Sequence, residues 1–120
     1  MLRMRPGILV VDDHAGFRTA VRSMLEAAQF TVVGEAADAA EALRAVDELR
    51  PGLVLLDVHL PDGDGFELSR VLALRAAPPV VVLTSSRPIS DLKRRVADCP
   101  VAGFLAKEAL SGPALRSLVG

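Results

Sequence analysis

The chain has 120 residues, 51% of them hydrophobic, a net charge of -1 and a single cysteine. That length fits one domain over residues 1–120 with enough apolar side chains for a core of its own. The near-neutral charge gives no field to draw in nucleic acid, and the lone Cys99 excludes a disulfide framework. The opening Met1-Leu2-Arg3-Met4-Arg5-Pro6 is too short and too soon interrupted for a signal peptide. The longest apolar run, Val80 to Leu83, falls far short of a membrane span, so a cytoplasmic protein without a membrane partner is expected.

Along the chain, Ile8-Leu9-Val10-Val11 reads as a first strand, apolar without alternation and therefore buried on both faces. Val21, Met24, Leu25 and Ala28 then fall on one helical face. Thr31-Val32-Val33 is a second strand, ending in Gly34-Glu35-Ala36, which offers little chemistry. Asp38 and Glu41 form a capping box for a second helix whose inner face is Leu43, Val46 and Leu49. Leu53-Val54-Leu55-Leu56 is a third strand, followed by a helix carrying Leu68, Val71, Leu72 and Arg75 and stopped by Pro78-Pro79. Val80-Val81-Val82-Leu83 is a fourth strand, and Pro88 or Ser90 opens a helix with Leu92 and Val96 facing inward. Val101 to Leu105 is the fifth strand, and Ser111-Gly112-Pro113 starts a short last helix with Leu115 and Leu118 as its apolar contacts. Five strand–helix units in this length predict a doubly wound α/β fold with helices on both faces of a parallel sheet.

Ligands of such sheets bind beyond the carboxyl ends of the strands. The first strand ends in Asp12-Asp13, the third in Asp57 and the fourth in Thr84-Ser85-Ser86, and Lys107, one of only two lysines, follows the fifth. Clustered carboxylates repel one another and call for a hard divalent cation; Mg²⁺ suits oxygen ligands and a partner that carries phosphate. A lysine and a hydroxyl add what is needed to hold phosphoryl oxygens. With neither a cysteine nor a serine–histidine–acid set at this rim, a carboxylate is the plausible nucleophile. Taken singly, each element has a plainer reading. Asp12 can cap a helix, Asp62-Gly63-Asp64-Gly65 reads as a turn and helix start, and His14 and His59 read as exposed loop residues. Phe104 alone would be core.

Val11-Asp12-Asp13-His14, Leu56-Asp57-Val58-His59-Leu60-Pro61-Asp62-Gly63-Asp64-Gly65, Leu83-Thr84-Ser85 and Gly103-Phe104-Leu105-Ala106-Lys107-Glu108 together resemble the response-regulator receiver family over nearly the whole chain. The resemblance implies a flavodoxin-like (βα)5 fold with strand order 2-1-3-4-5. It implies that Asp57 is the phosphoacceptor, that Asp12, Asp13, Asp57 and the main-chain carbonyl of His59 hold Mg²⁺, and that Thr84 and Lys107 contact the phosphoryl group. Thr84 and Phe104 would be the switch pair. His59 and Ser86 fall where the family sets its dephosphorylation rate. Departures from the commonest pattern are Phe104 in place of a tyrosine, Glu108 after Lys107, and Cys99-Pro100-Val101-Ala102 before the fifth strand. The implied role is a signalling module rather than an enzyme. Its partners would be a sensor histidine kinase and, through the basic face of the fourth helix, fifth strand and fifth helix, either a second copy or an output domain. The sequence leans towards regulators carrying a LuxR-type helix-turn-helix, so DNA would be reached only through an output domain outside these residues. The chain is then either an excised receiver or a stand-alone one. Two other functions compete. An aspartate-nucleophile phosphatase wants a second acid where His59 stands, and a receiver fold used only for binding would be favoured by loss of Asp57 or Lys107, both present.

Overall fold

A computed structural model describes residues 7–88, 90 and 92–119 of the chain; the segment Met1–Pro6, read above as no leader, lies outside the described residues. The apolar runs form a parallel sheet, the three central ones largely buried on both sides and the two edge strands only in part. β1 (Gly7–Val11), β2 (Thr31–Ala36), β3 (Leu53–Asp57), β6 (Val80–Ser85) and β7 (Gly103–Ala106) lie in the order β2-β1-β3-β6-β7. Between β3 and β6 in the chain, β4 (His59–Leu60) and β5 (Gly63–Asp64) make a small antiparallel hairpin of their own. With that hairpin set aside, the order is the expected 2-1-3-4-5.

Strand alternation divides the core in two. Leu9, Val11, Val54, Leu56, Val81 and Leu83 point to one face and pack with α2 (Ala39–Leu49), α3 (Gly65–Ala73) and Leu92, just before α4 (Lys93–Ala97). Ile8, Val10, Leu53, Leu55 and Val82 point to the other, against α1 (Ala15–Ala27) and α5 (Gly112–Val119). The helices start where the chain supplies caps. Asp38 accepts from Glu41 N–H at 2.8 Å while Glu41 accepts from Ala37 N–H at 3.0 Å, and Asp64 accepts from Glu67 N–H at 2.7 Å. Ser111 accepts from Ala114 N–H at 3.1 Å at the start of α5.

Some inner faces differ from the sequence expectation. In α2 the buried positions are Ala42 and Val46, and Leu49 is 45% exposed, because the helix ends there and Leu49 reaches sideways over Gly34 of β2. In α3 they are Gly65, Phe66, Leu68, Ser69 and Leu72, while Val71 is 38% exposed. Ser69 is tolerated there because its hydroxyl donates to Phe66 O at 2.6 Å. The fifth strand begins at Gly103 rather than Val101, since Val101 N–H bonds to Cys99 O in a tight local turn. α4 has only five residues, none of them buried.

Candidate functional site

Asp12, Asp57 and Thr84 continue the strand alternation of the α1–α5 face one step past the apolar core, so all three arrive on the same side at the same rim. Asp57 and Thr84 are direct partners in the β3–β6 register, and both are buried. Asp12 follows β1 and is fully buried, and Asp57 is 4% exposed. Between them lies the ammonium of Lys107, 2.6 Å from Asp12 Oδ2 and 3.1 Å from Asp57 Oδ2. Lys107 sits at the end of β7, where a short 3-10 turn (Lys107–Ala109) begins, and its Nζ lies 4.4 Å from the centre of the Phe17 ring of α1. That face-on contact favours the charged lysine and fixes its direction.

Hydrogen bonds hold the rest of the rim. Asp57 Oδ1 accepts from His59 N–H at 3.0 Å, and Asp12 Oδ1 accepts from His14 N–H at 2.8 Å. The contact of Lys107 with Asp12 is close but poorly directed, leaving Asp12 Oδ2 buried without a hydrogen bond among the described residues. Burial, the largest influence on Asp57, holds its carboxyl above the ordinary carboxylate range, and the His59 N–H and Lys107 only partly oppose it. Asp12 goes the other way. Burial pushes its carboxyl up, but Lys107 and the His14 N–H together overcome that and hold it low. Lys107 loses solvation too, yet its two carboxylate partners raise its pKa.

Gly65 explains how α3 can start against this rim. A Cβ there would lie 2.4 Å from the main-chain oxygen of Asp57 and 2.9 Å from Cα of Val58. Only glycine lets Gly65 N–H reach Val58 O at 2.8 Å. Asp62 and Asp64 are turn and cap residues, as the plainer reading had them. Asp62 in addition accepts from Ala39 and Ala40 N–H at 2.8 and 3.1 Å, sealing the start of α2 from another loop. No local sequence signal marks that contact.

The remaining site candidates fall as follows. Asp13 lines an open cleft of about 260 Å³ with His14, Asp57, His59, Leu60, Pro61, Ser86 and Lys107. His59 is exposed, as expected, and its N–H binds the neighbouring carboxylate. His14 is 73% exposed at its side chain, but its Nδ1 lies 3.2 Å from Asp12 and 3.0 Å from Asp13. The described residues whose ligand atoms cluster closely enough for a metal are therefore Asp12, Asp13 and His14, with Asp57 turned to Lys107 instead. The donor set still fits a hard cation: carboxylate oxygens, one of them buried and lacking a hydrogen bond, at the mouth of a cleft. Phe104, half-buried, packs against the core of the α2–α4 face. Sequence reasoning missed Glu35 at the end of β2, which pairs with Arg18 and Arg22 of α1 at 3.0 and 2.9 Å.

A five-stranded parallel sheet carrying a buried aspartate pair bridged by a lysine defines a class that comparison with known proteins identifies. The chain belongs to the response regulator receiver domain family, whose model matches residues 8–118. A Pseudomonas aeruginosa protein named as a transcriptional regulator is 39% identical over 101 residues, which is 83% of this chain and 48% of that one. The chain thus spans about half the length of this curated relative. Among solved structures, the signal receiver domain of NarL from Mycobacterium tuberculosis superposes with a TM-score of 0.86 at 28% identity, covering 98% of this chain and 99% of that one. A LuxR-family two-component response regulator from Aurantimonas sp. SI85-9A1 gives 0.83 at 27% identity, covering 95% of this chain and 81% of that one. Among the described residues no helix is long and apolar enough to cross a membrane.

Proposed function

We propose that this receiver domain accepts a phosphoryl group on Asp57 from a phosphohistidine of a sensor kinase, and that Mg²⁺ is required. The observation that carries the reading is the ammonium of Lys107 set between the buried Asp12 and Asp57 at 2.6 and 3.1 Å. Desolvation makes the Asp57 carboxylate more basic and hence a better nucleophile. An oxygen of Asp57 bonds to phosphorus, the P–N bond of the donor breaks, and the departing imidazole keeps the electron pair and is protonated. The product carries up to two further negative charges beside Asp12 and Asp13. Lys107 offsets part of that charge. The Thr84 hydroxyl, one strand over in direct register, is at hand for a phosphoryl oxygen. Asp12, Asp13, Asp57 and the His59 carbonyl would hold Mg²⁺, which supplies charge neutralisation of the phosphoryl oxygens when bound.

The same reading makes Thr84 and Phe104 the switch pair and the domain a cytoplasmic signalling module rather than an enzyme. Self-association through α4, β7 and α5 would follow phosphorylation. The output would be transcriptional, through a DNA-binding domain beyond these residues. Intact mass after incubation with Mg²⁺ and acetyl phosphate tests the core of it. One phosphoryl group should be gained, and none by Asp57→Ala or without Mg²⁺. A folded parent that gains no mass and forms no beryllium fluoride complex would leave only a binding role.

A further inference from the structure

We infer that Arg18 is a positioning residue for the acidic pair, locked in place by Glu35, and that this clamp sets the affinity of the site for a divalent cation. The inference rests on the metal-dependent reading above and concerns residues that do not touch the metal. Arg18, on the first turn of α1, is largely buried, with 17% of its side chain exposed. Its Nη1 donates to the main-chain carbonyl of Asp12, and its Nε donates to Glu35 Oε1 at 3.0 Å. The N–H of Asp12 donates in turn to Ala36 O at 3.0 Å. Asp12 is therefore tied to the end of β2 on both sides, through its N–H directly and through its carbonyl by way of Arg18 and Glu35.

This matters because Asp12 lies just past the last residue of β1, where no ladder bond fixes its carbonyl. A peptide free to rotate there would swing the carboxylate away from Asp57 and Lys107. Arg18 is suited to the task because a guanidinium can serve two acceptors in fixed directions, which one ammonium cannot. Its charge needs balancing as well, since an unpaired cation behind the acidic pair would repel an incoming divalent ion. Glu35 supplies the balance. Its carboxyl is held below the ordinary range, chiefly by Arg22 and also by Arg18. Arg22 meets Glu35 at 2.9 Å and Glu26 at 3.6 Å, bracing Glu35 from the far side without reaching Asp12. Charge pairs on helix surfaces are common; here one of them also donates a hydrogen bond into the main chain of a site residue.

Calorimetric titration with Mg²⁺ of the whole chain and four variants, with melting curves alongside, tests the inference. Arg18→Met should weaken Mg²⁺ binding about tenfold, the scale seen when groups orienting a metal ligand are lost. Glu35→Gln should weaken it by a smaller factor, and the double variant should be no worse than Arg18→Met, because Glu35 acts through Arg18. Arg22→Met, which removes a neighbouring surface pair of similar size, should stay within twofold of the parent. Equal affinities in the parent and Arg18→Met would overturn the inference, as would an equal loss in Arg22→Met. So would normal Mg²⁺ binding in an Arg18→Met protein impaired only in uptake from a kinase, which would make Arg18 a partner contact. Should Arg18→Met fail to fold, unchanged affinity in Glu35→Gln would overturn it. A parent that binds no Mg²⁺ would instead refute the metal reading itself.

Discussion

β3 and β7 both end at the site, yet they are built differently. All five residues of β3 are buried between two neighbouring strands and two helical layers, while β7 is an edge strand with no fully buried residue. The helices beside them repeat the contrast. α3 is capped by Asp64 and buries five positions, whereas α4 is a turn and a half long, uncapped and buries none. Asp57 thus stands on the most fully buried strand and the lysine that faces it on the least buried. A charge change at Asp57 should be absorbed where fewest packed contacts must break, in the α4–β7 region.

The contrast breaks most sharply if the rigid side is cut. Leu56→Ala, at a fully buried position of β3, should lower stability by about 3–5 kcal/mol in denaturant titration, against under 1.5 kcal/mol for Val96→Ala on α4. Comparable values would abolish the distinction. Gly65→Ala comes next. Its Cβ would meet main-chain atoms that cannot step aside, so a loss of about 1–3 kcal/mol is expected together with poor phosphoryl uptake at Asp57. Normal melting and uptake would show that α3 can back away from the rim.

Asp57→Asn should act in the opposite direction. Burial raises the Asp57 pKa in the folded state, so folded protein binds the proton more tightly than unfolded. The group's favourable contribution is complete below its unfolded pKa of about 3.9 and is lost as pH rises through the folded value. In Mg²⁺-free protein the substitution should therefore raise Tm at pH 7, a gain that shrinks as pH falls towards the unfolded pKa. A Tm at pH 7 that falls instead would mean that Lys107 more than repays the burial. The smallest effect is on the loose side. Arg95 leaves α4 to meet Asp64 at 3.1 Å and to cover the Phe66 ring at 4.1 Å. Arg95→Met should cost only about 0.5–1 kcal/mol globally, yet it should raise hydrogen exchange throughout α4. Exchange unchanged in α4 would show that other contacts hold it.

Much of this was legible in the sequence, for physical reasons that also mark the limits. Apolar runs at β1, β3 and β6 declare burial on both faces, and the polar residues ending them identify the rim. Helical periodicity placed the helices but misjudged Leu49 and Val71, because which side of a helix meets the sheet depends on crossover geometry. The β4–β5 hairpin has too few residues to show a period. Glu35 and Asp62 escaped because their work is done at a distance, with partners 17 and 23 positions away in the chain. The metal-competent grouping of His14 with Asp12 and Asp13 likewise depends on how the loop after β1 turns.

The direct pairing of Asp57 with Thr84 has a further consequence. A slip of one residue between β3 and β6 would turn every side chain of the slipped strand to the opposite face, exchanging leucines between the two cores and driving the carboxylate in among them. Misalignment of Asp57 and the Thr84 hydroxyl is therefore not a separate error that a well-folded chain can carry. Folding itself proofreads the site, and molecules that pass have their two groups set side by side at the spacing of adjacent strands.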